Sequence, residues 1–360
     1  MHALWREVEP RGYAYALSPH GLVSAFMLAL LARLPGLRAV TQRCPRLVGT
    51  RNFSSLAAAL RRPSLLRFAR ALVEQLQGAW RGQGGQLVAL DSMAVTLRST
   101  LRHHCAKSNR HTAGGGVVWA YLIKARRGVC PVQVLEIVRG AWHDSKILRT
   151  VSLCAHGPVY LMDRGFYCFD LLEQWLAQGV HFIVRVRERS LLYEVIEPCS
   201  APRRIDALWL ELDARVKLGG RTAKTHPCVR LIIARLASGQ RLILASERWA
   251  WSAERILRAY NQRWQIERFH KLVKEALGLA HLYSFTQNGL EFLLWTALLL
   301  ALLLFASATP EHAGWTIDTL REALRAARAL LGLGALWRRN ACITPGRRKS
   351  AKKKQQTIIQ

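Results

Sequence analysis

The sequence is poor in acidic residues. Asp and Glu together number 23, whereas Lys and Arg number 53, which gives a formal net charge of +30 over 360 residues. A charge of this size predicts a polyanionic partner, because each phosphate that a basic side chain neutralises releases condensed counterions. Nucleic acid is the first such partner to consider, and an anionic membrane surface is the second. Hydrophobic residues make up 51% of the chain, which excludes a disordered polyelectrolyte.

The sequence also lacks paired cysteine motifs. None of its eight cysteines belongs to a C-x-x-C pair, and this absence argues against a zinc ribbon. Their scattered spacing gives no indication of a secreted disulfide scaffold. We therefore expect free thiols in a protein of the reducing cytosol.

Long uncharged apolar runs are scarce, and two of them need a test for membrane insertion. Residues 21–32, "GLVSAFMLALLA", lie deep for a signal peptide and lack a small-x-small cleavage site. Residues 292–308 are uncharged but reach only the lower limit for a membrane span. A helix buried on all sides in a large core would have the same composition. We favour such a buried helix and expect no membrane partner.

Hydrophobic periodicity divides the chain into five segments. Their predicted characters are, in order, helical, mixed β and α, β-rich, helical, and basic without an apolar period. The segments are residues 1–82, 83–179, 180–250, 251–335 and 336–360. The pattern predicts an α/β fold in which a mixed sheet with flanking helices is interrupted by a β-rich insertion and preceded by a helical region.

Residues that commonly begin or end helices predict the boundaries of two helices. Pro63 is expected to begin a helix in the first segment, because proline is tolerated in the first helical turn. A second helix is predicted over residues 168–179, with Asp170 as its N-cap and Gly179 as its C-cap.

Two aspartates follow apolar runs that read as strands. Asp91 comes after "LVAL", and Asp163 comes after "VYLM" and precedes Arg164 and Gly165. An aspartate at a strand end is commonly a turn former or a helix cap. Two of them at the ends of neighbouring core strands are also candidates for a shared metal site with oxygen ligands.

A third acid lies in the helical stretch "YNQRWQIERFHKLVKE", residues 260–275. At about 100° per residue, one continuous helix places five polar side chains within an arc of roughly 80°, opposite an apolar face. They are Tyr260, Arg263, Glu267, Lys271 and Lys274. A solvated Glu267–Lys271 ion pair explains this pattern as well as a functional site does.

The spacing of this stretch resembles a known signature. Tyr260-x2-Arg263-x3-Glu267-x6-Lys274 matches the Y-x2-R-x3-E-x6-K pattern of a family of bacterial insertion-sequence DDE transposases. Asp91-Ser92, "SNRHTAGGGV" (108–117), "WHDSK" (142–146) and "DRGFY" (163–167) are similar to segments of the same family. The resemblance covers roughly residues 50–310 and includes the family's order of two aspartates, a β-rich insertion and a glutamate.

The resemblance implies a ribonuclease H-like core formed by residues 83–179 and 251–335, with Asp91, Asp163 and Glu267 as catalytic residues and metal ligands. It implies two magnesium or manganese ions per active site, because hard oxygen ligands suit these ions and phosphoryl transfer uses such pairs. Tyr260, Arg263 and Lys274 would contact the DNA backbone. Arg164 and Lys271 are further candidates for DNA contact.

The activity implied is cleavage at the ends of an insertion sequence and joining to target DNA, through a hairpin intermediate. The implied partners are terminal inverted repeats, target DNA and a second copy of the chain in a synaptic dimer. The implied location is the bacterial cytoplasm, in association with the nucleoid. Residues 1–82 are the candidate for end recognition, because arginines alternate with apolar helical positions there.

One departure from the family concerns a tryptophan that stacks a flipped base in some members. The corresponding place reads Ser238-Gly239-Gln240, and Trp249 and Trp251 follow further on. Either tryptophan could stack a base or pack in the core. The alternative to an active enzyme is a catalytically inactive DNA-binding remnant or repressor of the same element.

Overall fold

The computed structural model describes a large part of the chain. The described residues are 17–32, 34, 36–77, 87–96, 114–122, 132–138, 144–219, 223–271, 273 and 286–307. Lys274 and the predicted basic tail over residues 336–360 lie outside them, as does most of the 108–117 segment.

Helices and strands alternate in the pattern of a mixed α/β protein. The described helices are α1 Pro19–Ala32, α2 Leu37–Arg43, α3 Pro45–Val48, α4 Phe53–Leu60, α5 Pro63–Gln77, α6 Asp144–Leu148, α7 Phe169–Gln178, α8 Ala253–Asn261, α9 Trp264–Lys271 and α10 Gln287–Ser307. The described strands are β1 Leu87–Thr96, β2 Gly114–Leu122, β3 Val132–Val138, β4 Val159–Met162, β5 His181–Arg185, β6 Tyr193–Ser200, β7 Arg203–Ile205, β8 Leu208–Leu218, β9 Cys228–Arg235 and β10 Arg241–Ser246.

The described strands form a single mixed sheet. Its order is β3-β2-β1-β4-β5-β10-β9-β8-β6, and β7 pairs with β8. Strands β1, β2 and β3 are antiparallel, whereas β4 lies parallel to both β1 and β5. Strand β10 joins β5 in antiparallel register. The β-rich stretch that follows β5 therefore extends the sheet, and the expected mixed sheet with flanking helices is confirmed.

Alternating side chains fill two cores, one on each face of the sheet. In β1, Ala89 and Met93 contact the core built by α1–α5 and α8–α10, whereas Val88 and Leu90 contact the core that includes α7. The same alternation continues across β4 and β5, as expected when successive side chains point to opposite faces. We call the first of these surfaces the helical face.

Helix α10 contains the apolar run that raised the question of a membrane span. It packs against α5 and α1, and its side chains from Phe292 to Leu302 are buried. The prediction of a buried core helix is confirmed. No single helix among the described residues is long and apolar enough to cross a membrane, although α1 and α2 meet the length and composition criteria as a pair bent by 107°.

The predicted helix boundaries near Pro63 and Gly179 are confirmed. Pro63 is the first residue of α5, and Gly179 ends α7 in the left-handed conformation with φ 68°. The prediction of Asp170 as the N-cap of α7 is wrong. Cys168 occupies the N-cap position, and Asp170 lies in the first helical turn, where its carboxylate forms an ion pair with Arg149 at 3.1 Å.

A buried ion pair connects the β-rich part of the sheet to α8. Arg230 on β9 donates from Nε and Nη2 to the two carboxylate oxygens of Asp213 on β8, at 2.7 and 2.9 Å. Its Nη1 donates to the backbone carbonyls of Arg248, Trp249 and Trp251, which lie in the loop leading into α8. One guanidinium therefore fixes both the strand pair and the start of α8.

Arg230→Met should lower the free energy of unfolding by about 3–5 kcal/mol, because it leaves the buried Asp213 carboxylate without its cation. Urea denaturation measures this loss. The matched control is Arg215→Ala, which removes a half-exposed partner of Glu197 at 3.4 Å and should change stability by less than about 1 kcal/mol. Equal losses of unfolding free energy in the two variants would contradict a stabilising role for the Arg230–Asp213 pair.

Candidate active site

The two aspartates meet because β1 and β4 pair in parallel. Leu90 lies opposite Met162 in this register, so the next residues along the two strands are Asp91 and Asp163. Strand β1 continues past this point to Thr96, paired only with β2. Asp91 therefore lies within its strand rather than at its end, at the level where β4 stops.

Both aspartates belong to the helical face of the sheet. Asp91 falls between Ala89 and Met93 in the two-residue alternation, and Asp163 follows Leu161 in the same way. Helix α9 packs over β1 and β2 on this face. The period of the strands thus directs both carboxyl groups towards the helix that carries Glu267.

The two carboxyl groups differ in their hydrogen bonds. Asp91 Oδ1 accepts a hydrogen bond from the backbone N–H of Ser92 at 2.9 Å. Asp163 begins a turn in which the N–H of Phe166 donates to its backbone carbonyl at 3.0 Å. Its side-chain Oδ1 is buried and has no hydrogen-bond partner among the described residues.

The prediction of one continuous helix through residues 260–275 is wrong. Helix α8 ends at Asn261, and α9 begins at Trp264. Across the junction, N–H groups bond to carbonyls three residues earlier, as in Arg263 to Tyr260 and Ile266 to Arg263. Such 3₁₀ geometry advances by more than 100° per residue, so the predicted single polar arc does not persist.

The described signature residues of this stretch, and Lys271 beside them, have unequal burial. Tyr260 and Arg263 are buried, Glu267 is partly exposed, and Lys271 is exposed at the end of α9. Arg263 Nη2 donates to Glu267 Oε1 at 2.6 Å. Burial raises the pKa of Tyr260 to about 12, so the phenol is neutral at physiological pH.

Arg263 also connects Glu267 to the aspartates electrostatically. Burial acts to lower the pKa of Arg263, but nearby Tyr260, Glu267 and Asp163 outweigh this effect and raise it. Its guanidinium carbon lies 5.7 Å from the Tyr260 ring centroid. The same cation is therefore within electrostatic reach of an aspartate on β4 and bonded to the glutamate on α9.

His270 provides a further contact between α9 and the sheet. Its Nδ1 lies 3.4 Å from Asp91 Oδ2, and its side chain is buried. Glu267 precedes His270 by three residues, so the two side chains lie on adjacent turns of the same helical surface. This contact places Glu267 about one helical turn from the side chain that touches Asp91.

A cleft of about 1290 Å³ opens beside the aspartates. Its lining carries six arginines and three carboxylates: Arg164, Arg185, Arg187, Arg189, Arg235, Arg241, Asp91, Asp163 and Glu188. We call this cavity the arginine cleft. Of its arginines, only Arg164 was identified from the sequence. The basic run R-V-R-E-R over residues 185–189 was an available signal through its charge alone, because β5 ends at Arg185 and a 3₁₀ helix follows at Glu188–Ser190.

Trp249 and Trp251 do not line the arginine cleft. Trp251 is partly buried against the core of the helical face, with the Arg255 guanidinium 4.1 Å from its ring centroid. Trp249 is more exposed and has Arg215 at 5.4 Å. The arrangement favours core packing for Trp251 and leaves Trp249 accessible for stacking.

Residues 82–304 match the family model described as the transposase DDE domain. The chain belongs to the transposase DDE domain family. The resemblance predicted from its motifs is thereby confirmed at the level of the family. The match includes β1, β4 and α9, the three elements that carry Asp91, Asp163 and Glu267.

Two curated proteins similar to this DDE domain chain carry transposase names. A probable transposase for insertion sequence element IS5377 from Geobacillus stearothermophilus is 24% identical over 176 residues, which cover 48% of the chain and 45% of that protein. A putative transposase, y4zB, from Sinorhizobium fredii (strain NBRC 101917 / NGR234) is 26% identical over 244 residues, covering 66% of the chain and 65% of that protein. The chain thus spans roughly half to two thirds of the relatives it matches.

Transposase DDE domains generally use divalent metal ions, and part of this site fits such an ion. Asp91 and Asp163 supply neighbouring hard oxygen donors, and a bound cation would satisfy the buried Asp163 Oδ1. Glu267 is held by Arg263 instead. Within the described ranges, no three His, Cys, Asp or Glu side chains are close enough together to hold an ion.

Magnesium or manganese should raise the thermal midpoint of the wild-type protein, because an ion that binds only the folded state stabilises it by mass action. Asp163→Asn should abolish this rise, since it removes the donor with the unsatisfied oxygen. Differential scanning calorimetry with and without the ion measures both. The control Asp170→Asn changes an exposed carboxylate and should show the same rise in thermal midpoint as wild type. A rise that persists in Asp163→Asn would contradict a metal site at Asp163.

Proposed function

We propose that this protein is a DNA transposase that cleaves at the ends of its insertion sequence and joins them to target DNA by phosphoryl transfer. The observation that carries the proposal is the pair Asp91 and Asp163, level on neighbouring parallel strands at an arginine-lined cleft. Membership of the transposase DDE domain family supports the same reaction class. A ribonuclease H-like core is the corresponding proposal for the fold.

In this proposal Asp91, Asp163 and Glu267 hold two magnesium or manganese ions. When bound, such ions activate the attacking oxygen and stabilise the leaving oxygen of a phosphodiester. Glu267 reaches them only after leaving Arg263, to which it is bonded at 2.6 Å. His270 acts as a positioning residue, because its contact with Asp91 anchors α9 to β1.

The basic residues of the site divide by exposure into two proposed roles. Arg164 in the cleft and the exposed Lys271 contact DNA phosphates, where each contact releases counterions. Lys274, outside the described residues, has the same proposed role from the signature alone. Arg263 and Tyr260 are buried beside Asp163 and Glu267, so their contact with DNA is confined to a phosphate that enters the site. Trp249 is the more accessible of the two tryptophans for a displaced base.

The remaining steps of the proposal rest on the family resemblance. They are a hairpin intermediate on the element end, a synaptic homodimer on paired ends, and end recognition by residues 1–82. A large excess of basic residues is consistent with binding to two DNA segments at once, because affinity grows with the number of phosphates neutralised.

Asp91→Asn, Asp163→Asn and Glu267→Gln should each abolish cleavage of DNA flanking the coding region while DNA binding is retained. The substrate is a labelled duplex containing that flank, incubated with magnesium and resolved on a denaturing gel. Asp170→Asn serves as the matched control and should cleave normally. Cleavage that survives in all three site variants would refute the assignment, and a wild-type protein that binds without cleaving would support the inactive remnant.

Lys274→Ala should reduce the slope of log affinity against log salt by about one, because one phosphate contact is lost. Fluorescence anisotropy over a range of salt concentrations measures the slope. The control is Lys217→Ala, an exposed lysine of β8 that does not line the arginine cleft. A slope unchanged from wild type would place Lys274 away from the DNA.

A further inference from the structure

Two arginines of the cleft face each other across the β9–β10 hairpin. Arg235, the last residue of β9, pairs directly with Arg241, the first residue of β10. Like charges in directly opposed positions destabilise an antiparallel pair. A single carboxylate, Glu211 on β8, compensates for this repulsion by bonding to both guanidinium groups.

A β-bulge directs Glu211 towards this pair. Leu210 lies opposite Ala234 and Leu212 lies opposite Ile233, so Glu211 is the extra residue between them. A bulge inserts one unpaired residue and changes the direction of its side chain. Here it lets a residue of β8 reach across β9 to an arginine on β10.

The geometry of this contact leaves the outer edges of the arginines available. Arg235 and Arg241 both use Nε towards Glu211, and the distance from Arg241 Nε to Oε2 is 2.8 Å. Burial acts to raise the pKa of Glu211, but Arg235 and Arg241 outweigh it and lower the pKa, so the carboxylate stays charged. Arg241 has one further contact, from Nη1 to the exposed Glu188 at 3.4 Å.

Exposure separates this cluster from a structural ion pair. The side chains of Arg235 and Arg241 are 47% and 43% exposed, whereas Glu211 is only 18% exposed. In the structural pair nearby, Arg230 is 6% exposed and Asp213 is fully buried, with every nitrogen of the guanidinium bonded. In the cluster of Glu211, Arg235 and Arg241, the carboxylate is the more buried group, and the two guanidinium groups line the cleft.

The sheet register fixes the distance from the pair to the aspartates. Asp163 is level with Arg185, and Arg185 pairs with Leu244, three residues from Arg241. Three residues at about 3.3 Å and two strand spacings at about 4.8 Å give a separation of about 14 Å. Since successive phosphates along the helical path of one strand are farther apart than the 3.4 Å axial rise, this separation spans a few nucleotides.

We propose that Arg235 and Arg241, held side by side by Glu211, bind one phosphate of the DNA strand a few nucleotides from the phosphate that is cut. This inference rests on the proposed transposase function, and it names the part of the substrate that the far end of the arginine cleft recognises. Two guanidinium groups directed at one phosphate can donate several charge-assisted hydrogen bonds. Glu211 is a positioning residue that keeps the two cations together.

Neutralising single phosphates tests the contact directly. The probes are fluorescein-labelled duplexes of the flanking DNA, each with one methylphosphonate at a successive position, titrated without divalent ions so that binding is read without cleavage. One position a few nucleotides from the cut should weaken wild-type binding about tenfold, as expected for a lost charge-assisted contact. Arg235→Ala and Arg241→Ala should each weaken binding to unmodified DNA about tenfold and should be insensitive to neutralisation at that position.

The Glu211→Ala variant separates positioning from simple charge. Removing an acid from a DNA-binding surface ordinarily tightens binding, because it removes repulsion of phosphates. Loss of Glu211 should instead weaken binding several-fold, because the two arginines then repel and separate. The matched control is Glu197→Ala, whose carboxylate pairs with Arg215 outside the cleft and should leave binding unchanged or tighter.

A second control guards against a purely structural role. The triple variant Glu211→Leu, Arg235→Met, Arg241→Met keeps apolar contacts across the three strands, and calorimetry checks its fold. A folded triple variant that still responds to the key methylphosphonate as wild type does would overturn the proposal, as would tighter binding by Glu211→Ala. Arg149→Ala, half exposed in an ion pair with Asp170, should respond as wild type.

The test is independent of the catalytic assignment. Suppose that wild type cleaves the flanking DNA, but that every methylphosphonate weakens binding by Arg235→Ala and Arg241→Ala as much as it weakens binding by wild type. The proposed phosphate contact is then wrong, and the transposase function stands. If wild type neither binds nor cleaves this DNA, the proposed function itself fails.

Discussion

The parallel pairing of β1 with β4 is the constraint on which the site depends. It sets Leu90 opposite Met162, and every later feature follows from that register. A slip of one residue would move all side chains of β4 to the opposite face, because the period of a strand is two. Asp163 would then point into the core beside α7, where a carboxylate would lack both solvent and a cation.

The helical layer brings α9, which carries Glu267, over the strand that carries Asp91. Apolar residues Ile266 and Phe269 bury α9 against the sheet, and the buried His270 sets its position through Asp91. Arg263, at the 3₁₀ junction just before α9, bonds to Glu267. Glu267 is therefore kept near the aspartates by a cation, which lowers the repulsion that three uncompensated carboxylates would cause.

Sequence reasoning located the parts of the structure that local patterns determine. Apolar runs predicted the strands before Asp91 and Asp163, proline and glycine predicted the ends of α5 and α7, and the composition of residues 292–308 predicted a buried helix. The family signature predicted a catalytic role for Glu267 through fixed spacing, and that role stays a prediction. These features depend on residues that are close in sequence.

The features that sequence reasoning missed depend on tertiary contacts. The junction between α8 and α9 forms where Tyr260 and Arg263 turn inward, which a projection at constant angle does not represent. Asp170 is not the N-cap because α7 already begins at Phe169, and its carboxylate bonds instead to Arg149, distant in sequence. The cluster of Glu211, Arg235 and Arg241 requires a bulge in β8 and pairing across three strands. No short window of sequence contains that information.

Three acids in and next to the sheet differ in how their charge is compensated. Asp213 neutralises a buried arginine, and Glu211 keeps two exposed arginines together, so both are saturated by cations within the protein. Asp163 differs, because its buried Oδ1 has no hydrogen-bond partner among the described residues, although Arg263 lies within electrostatic reach. Leaving a buried carboxylate oxygen unsatisfied costs free energy. In a chain with 53 basic residues available to satisfy it, that oxygen is best explained as a ligand reserved for a cation that the protein does not itself supply.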